Sequence, residues 1–379
     1  MKIAIDARFL GPEGAGLGKY TEKLLEHLQK ADKENDYFVI LRKYNFDLFN
    51  PKNPSFKKIL VDARWYSLKE QILLPKAIRK INPDLVHFLH YNIPLFWNGK
   101  FVVTIYDLTK LEFGKAASRI SNPISFRLKQ AFHDLVLRRV AKRSTAIIAG
   151  SKTTENKLAD LLSVNRNKIT TIYAGTDGLF QGNQVDKRVH SNKILDKYKI
   201  KKPYVIYVGN AFPYKNLAVV LESLKEAEKG LNFVYVSSRS DFVPGLREKA
   251  KALNLGGRFI STGYVPDKDL AVLYKQAESY VFPSLSEGFG LPGLEAMAVG
   301  CPVIASNIPV LKEIYGDAAI YFDPKKPAEL AGKIELIMND QKLKTDLISK
   351  GHEQVKKYSW EKMTRETLDL YKKVGRINK

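Results

Sequence analysis

Cysteine is almost absent from this chain of 379 residues: Cys301 is the single one. A lone thiol excludes an internal disulfide and a metal site built from several cysteines. Long apolar runs are missing too. No stretch approaches the ~18 consecutive apolar residues that suggest a membrane-spanning helix. The opening MKIAIDARFL has neither the apolar core nor the small-residue cleavage site of a secretory signal. Together these absences lead to the expectation of a cytoplasmic protein. Acidic residues are scarce as well: 40 Asp and Glu stand against 62 Lys and Arg, a net charge of +22. Such a surplus attracts anions, whether nucleic acid, phosphorylated ligands or an anionic bilayer. No helix-turn-helix, RNA-binding or zinc pattern accompanies it, so no nucleic-acid partner is expected.

What is present has the composition of a globular protein, with 45% hydrophobic and 27% charged residues over a length that suits two ordinary domains. Short apolar runs bounded by turn residues (KIAIDA, YFVILR, DLVHFL, KFVVTIYD, TAIIAGS) alternate with helical patterns such as Tyr20–Lys30 and Leu68–Lys80. Buried strands alternating with helices predict a parallel sheet covered on both faces. The alternation restarts with PYVIYVGN, NFVYVSS, RFISTGYV, SYVFPS, CPVIAS and AAIYFD. A polar stretch from Gln181 to Lys202 separates the two series and reads as a linker followed by a short helix. The expectation is two doubly wound α/β domains, 1–185 and 186–360.

Ligands of such sheets sit outside the carboxyl ends of the strands. In PSLSEGFGLPGLEAMAVG a strand ends at Pro283, a glycine loop follows, and a helix begins near Leu291 or Pro292. Free N–H groups at that helix start favour an anion such as a diphosphate, and glycine lets the backbone approach it closely. Glu287 and Glu295 bracket the loop, with seven residues between them. A carboxylate accepts two hydrogen bonds, which suits the vicinal hydroxyls of a ribose or hexose. A second glycine loop, Gly14–Ala15–Gly16–Leu17–Gly18, joins the first strand to the first helix and is a weak signal by itself.

The run SEGFGLPGLEAMAVGCPVIAS resembles the signature of the family-4 retaining glycosyltransferases, whose GT-B architecture sets two Rossmann-like domains across a cleft. The resemblance extends over nearly the whole chain and is sharper in the C-terminal half, and it implies that a C-terminal helix, 361–379, crosses back after Trp360 to pack on the first domain. It implies retaining transfer of a hexose from a nucleoside diphosphate sugar, GDP-mannose first or a UDP-hexose, to a glycan or lipid-linked acceptor in envelope polysaccharide synthesis. By the same resemblance Glu295 holds the ribose and Glu287 the donor sugar, while Phe289, Gly290 and Leu291 meet the sugar and diphosphate. In VGNAFPYKNL, Lys215 stands where the family carries its diphosphate lysine, and Asn210 where many members have arginine. Tyr264 and Val265 fall beside the nucleobase, and Gly16 faces the diphosphate across the cleft. No metal and no cofactor is expected, since the N-terminal half shows no clear Asp-x-Asp pair and Lys215 supplies positive charge.

The chief departure is Tyr106, which stands where related enzymes commonly carry a histidine and is followed by Asp107. Tyrosine is a poor base at neutral pH, but retaining transfer does not demand a strong one. Tyr106 joins Lys215 and Glu287 as a catalytic candidate, and His87, His90 and Asp107 are candidates for the acceptor side. Either histidine equally suits a packed position. Between Arg119 and Arg143, seven basic residues interleave with apolar ones around one acid, Asp134. That pattern suits an anionic bilayer, which places the protein on the inner face of the membrane, or an ordinary surface helix. Two rival functions stand beside transfer: a nucleotide-sugar 2-epimerase of the same architecture, and a non-catalytic nucleotide-sugar-binding protein.

Overall fold

The computed structural model describes residues 1–114, 122–176, 188–226, 230–238 and 241–376. The boundary expected between 185 and 186, the linker before 188, Arg119 and residues 377–379 lie outside them. The chain divides into two compact units.

The first unit comprises Met1–Leu111, Ile120–Gly175 and Ser359–Lys379. Its strands are β1 (Lys2–Asp6), β2 (Asp36–Leu41), β3 (Phe56–Leu60), β4 (Leu85–Phe88), β5 (Phe101–Ile105), β6 (Ala146–Ala149) and β7 (Ile169–Thr171). They form a parallel sheet in the order β3-β2-β1-β4-β5-β6-β7. Five of them are the expected apolar runs. The edge strands β3 and β7 are the two that the apolar runs did not announce. The helices are α1 (Gly16–Ala31), α2 (Leu68–Ile81), α3 (Thr109–Phe113), α4 (Pro123–Arg143) and α5 (Lys152–Leu162); α3 ends at Phe113, beyond the limit of this unit. In α1 the apolar positions recur at helical spacing, so Tyr20, Leu24, Leu25 and Leu28 are buried together on one face. Ser67 caps α2 by accepting from the Glu70 amide at 3.2 Å, and Ser151 caps α5 by accepting from Thr154 at 3.1 Å.

The second unit comprises Glu112–Arg119 and Thr176–Tyr358. Its parallel sheet holds β8 (Tyr204–Val208), β9 (Asn232–Val236), β10 (Phe259–Gly263), β11 (Ser279–Phe282), β12 (Val303–Ser306) and β13 (Ala319–Phe322), ordered β10-β9-β8-β11-β12-β13. All six are the expected runs. The helices are α6 (Arg188–Lys197), α7 (Ala218–Glu226), α8 (Val243–Ala252), α9 (Asp267–Gln276), α10 (Leu291–Ala298), α11 (Pro309–Tyr315), α12 (Pro327–Asn339) and α13 (Gln341–Val355). The last helix, α14 (Trp360–Arg376), belongs to the first unit and packs on α1.

Both sheets are doubly wound. In the first the chain builds outward from β1 through β2 and β3, then reverses to β4 on the other side. In the second the reversal falls between β8 and β11. These reversal points leave a crevice at the carboxyl ends of the strands, where ligands of such sheets bind.

Candidate active site

The reversal point of the second sheet gathers the residues singled out from its sequence. Lys215 ends a short 3-10 turn, Pro213–Lys215, after β8. Asn216 follows in the left-handed conformation at φ +57°, and its side-chain amide donates to the carbonyls of Pro283 (3.2 Å) and Pro324 (2.8 Å). The Leu285 amide donates to the Tyr214 carbonyl at 2.8 Å. The loops after β8 and β11 are thereby stitched together. Across this seam Lys215 Nζ lies 2.6 Å from Glu287 Oε1, with the two side chains 14% and 10% exposed. Burial alone would lower the lysine pKa. The Glu287 carboxylate, with Tyr214 and Tyr207 adding to it, outweighs burial and holds Lys215 above the ordinary lysine value. Lys215 is therefore a fixed cation, and its three N–H groups can serve the carboxylate and another anion together.

Downstream, Gly290 adopts φ +108° as the N-cap of α10, and Pro292 occupies the first turn, where its missing N–H costs no intrahelical bond. Tyr315 donates to the Gly290 carbonyl at 2.6 Å. Any side chain at Gly293 would meet the Tyr315 hydroxyl at 2.2 Å, so this helix start is packed to the limit against Tyr315. Phe289 is 6% exposed and meets the Tyr358 ring edge-on, with centroids 5.5 Å apart. Leu291 is half-buried. Glu295 lies in the second turn of α10 and is 7% exposed. At the end of β10, Tyr264 is 70% exposed and Val265 only 4%. The Asn210 carbonyl accepts from Tyr207 at 3.0 Å, while its side-chain oxygen is buried with no hydrogen-bond partner among the described residues.

The first unit sorts its candidates differently. A side chain at Gly14 would lie 2.0 Å from the Phe9 carbonyl oxygen, and one at Gly18 would lie 2.1 Å from that of Gly11, so both are glycines because of packing. Gly16 is exposed with nothing in its way. His87 corrects the acceptor-side expectation. It is fully buried, with Nδ1 2.5 Å from the Tyr371 hydroxyl of α14 and Nε2 2.9 Å from Thr104 Oγ1. Burial lowers its pKa to about 3, so it is a neutral core residue tying α14 to β4 and β5. His90 sits at the end of β4, half-buried, with Nδ1 accepting from the Asn92 amide at 3.0 Å. Asp107 accepts from the Thr109 amide at 2.9 Å, just ahead of α3. Tyr106 meets Tyr20 edge-on with ring centroids 4.9 Å apart, and its hydroxyl is buried with no hydrogen-bond partner among the described residues. Burial, with Tyr20 adding to it, raises the Tyr106 pKa well above the ordinary value. The ring is a packed aromatic and the hydroxyl stays protonated. Among the described residues, no three His, Cys, Asp or Glu side chains converge as metal ligands.

Sequence reading missed one cluster altogether. Arg8, just after β1, is fully buried and paired with Asp6 (2.8 Å) and Glu70 (2.6 Å). The aromatic residues Phe9, Trp65 and Tyr66 lie beside it. The adjacent rings of Trp65 and Tyr66 ahead of the α2 cap were the available signal.

Comparison with known proteins identifies the family. Two family models match in tandem: "Glycosyltransferase Family 4" over residues 14–177 and "Glycosyl transferases group 1" over residues 191–354. The chain belongs to the group 1, family 4 glycosyltransferases. The enzyme is 28% identical over 367 residues to the O-antigen chain mannosyltransferase RfbU of Salmonella typhimurium, covering 93% of this chain and 95% of that one. It is 34% identical over 187 residues to O-antigen chain mannosyltransferase B of Escherichia coli, covering 47% and 48%. Its fold is that of solved glycosyltransferases of GT-B architecture. HepE from Anabaena, in complex with UDP-glucose, superposes with a TM-score of 0.76 over 98% of this chain and 100% of that one, at 16% identity.

Proposed function

We propose that this glycosyltransferase moves a hexose, mannose from GDP-mannose in the first instance, to a glycan or lipid-linked acceptor with retention of configuration, in envelope polysaccharide synthesis. The observation that carries the donor site is the Lys215–Glu287 pair at the reversal point of the second sheet, beside the N-terminus of α10. Lys215 and the helix start at Gly290–Leu291 stabilise the departing diphosphate, which is where negative charge develops in the transition state. Glu287 accepts from the donor-sugar hydroxyls and Glu295 from those of the ribose. Phe289 walls the sugar, Val265 and Tyr264 flank the base, and Asn210 offers its unsatisfied oxygen to the donor. Tyr106 takes no proton in this scheme, and a leaving phosphate oxygen accepts the acceptor proton instead. The mannose assignment rests on the names of the two curated relatives. UDP-glucose in HepE keeps a UDP-hexose as the competing donor.

The same reading places the enzyme on the inner face of the membrane. Among the described residues no helix is long and apolar enough to cross a bilayer. On α4, however, Ile124, Leu128, Phe132 and Leu135 are 72, 68, 54 and 58% exposed, spaced along one face and flanked by Arg127, Lys129 and Arg138. An exposed apolar stripe between cations suits an anionic lipid surface.

Product analysis tests the reaction. GDP-mannose incubated with the enzyme and membrane glycolipid extract should yield GDP and a mannosylated lipid. Interconversion of the free sugar nucleotide without an acceptor would identify a 2-epimerase instead.

A further inference from the structure

At the reversal point of the first sheet, the loops after β1, β3 and β4 bring together an aromatic shelf. Phe9 stacks on Trp65 with centroids 4.5 Å apart and meets the His90 ring at 5.1 Å. Tyr66 stands edge-on to His90 at 6.4 Å and is 51% exposed. Cations border the shelf: the Arg42 guanidinium lies 5.0 Å from the Trp65 ring centroid, and Lys110 Nζ lies 5.1 Å from that of Tyr66 and 3.4 Å from its hydroxyl.

Tyr66 holds a backbone conformation that its side chain disfavours, with φ +62°. A bulky residue there is strained and persists only where its surroundings impose it. The imposing group is buried beneath. Glu70 Oε2 accepts from the Tyr66 amide at 2.8 Å, while Glu70 Oε1 accepts from Arg8 at 2.6 Å and from Asn92 Nδ2 at 2.7 Å. Arg8 is locked in turn by Asp6, through Nε and Nη2 at 2.8 Å each, and by the Ala63 carbonyl at 3.1 Å. Burying three charges is a poor way to gain stability, because desolvation consumes the attraction. What the network does provide is a fixed position for an exposed, strained ring.

We propose that this shelf seats the terminal hexopyranoside of the acceptor, with the sugar's C–H face on Tyr66, Trp65 as the adjoining wall, and Lys110 donating to a sugar hydroxyl. The proposal rests on the transferase reading above and names the site at which the acceptor enters. An aromatic face carries partial negative charge and attracts the weakly positive C–H bonds of a pyranose. Apolar walls with a few placed polar groups are the usual make-up of a small-ligand site. Arg8, Asp6 and Glu70 are positioning residues.

The test uses the full chain with three probes: methyl α-mannopyranoside, methyl α-glucopyranoside and methyl α-galactopyranoside. Saturation-transfer NMR reads sugar binding in the wild type, Tyr66→Ala and Tyr66→Phe, and the melting shift given by GDP is read in parallel. At least one glycoside should receive saturation at its ring C–H protons. Tyr66→Phe should keep that signal, and Tyr66→Ala should weaken affinity about fivefold to tenfold, with the GDP shift equal in all three proteins. Tyr66 is a surface residue, so the unchanged GDP shift also reports that each variant is folded. The proposal is overturned if no glycoside binds the wild type, if Tyr66→Ala binds as well as the wild type, or if Tyr66→Phe loses binding as fully as Tyr66→Ala. Absence of a GDP shift in the wild type strikes the donor assignment, which is a separate readout from the sugar signal.

Discussion

Lys215 and Glu287 are 72 residues apart in sequence and 2.6 Å apart in space. Each comes from a loop at the carboxyl end of one of the two strands that flank the reversal of the second sheet. The ion pair keeps a cation and a carboxylate side by side, which is what the proposed sugar diphosphate site requires. It also explains how a nearly buried lysine stays charged: Glu287 offsets the desolvation that would otherwise neutralise it.

Tyr106→Phe removes a buried hydroxyl that has no hydrogen-bond partner among the described residues. An unsatisfied buried donor costs roughly 1–3 kcal/mol. The variant should therefore melt at the wild-type temperature or higher, and transfer should stay within about threefold because no proton passes through this group. A loss of about a hundredfold in kcat with unchanged melting would give the hydroxyl a chemical role.

His87 makes stability depend on pH with a definite sign. Its pKa is about 3 when folded, against an ordinary value of 6.5. Between those values the unfolded chain binds a proton that the folded chain does not, so stability falls as pH drops through that window, by up to ~1.4 kcal/mol per pH unit. At pH 7.5 this loss is absent. In urea titrations, His87→Asn should start less stable at pH 7.5 and fall off more slowly toward pH 4.5 than the wild type. Parallel curves would show that other groups carry the acid limb.

The exposed stripe of α4 should bind vesicles. With phosphatidylglycerol vesicles at low salt, wild-type protein should sediment with the lipid, and the double variant Leu128→Glu/Phe132→Glu should bind at least tenfold more weakly, since each apolar side chain contributes on the order of 1.5–3 kcal/mol when buried. Binding that is equal in both proteins would remove this helix as the anchor.

Most of the fold was legible because central parallel strands are buried on both faces and appear as unbroken apolar runs. The exceptions follow from the same cause. In β3, FKKIL, lysines occupy an edge strand whose middle is only partly buried, and β7 is a three-residue edge strand, ITT, likewise half-covered. The donor loop was legible because its glycines, proline and glutamates lie close together in sequence. The Lys215–Glu287 contact and the Arg8–Glu70 network were not, since each joins residues more than 60 positions apart. His87 misled for a related reason. A histidine near a strand end suggests a ligand, but its partner Tyr371 lies on a helix 284 residues later.

In the proposed function the segment from Lys215 to Glu295 binds a nucleoside diphosphate hexose. Thermal melting with GDP-mannose, UDP-glucose and ADP-glucose, on wild-type protein, Lys215→Ala and Glu295→Ala, tests it most directly. A ligand at a hundredfold its Kd adds ~2.7 kcal/mol to stability. One donor, GDP-mannose first, should raise the wild-type melting temperature by several degrees, and both variants should lose most of that shift. If no donor shifts the wild type, or if the variants respond as it does, the donor site is not where Lys215 and Glu287 meet.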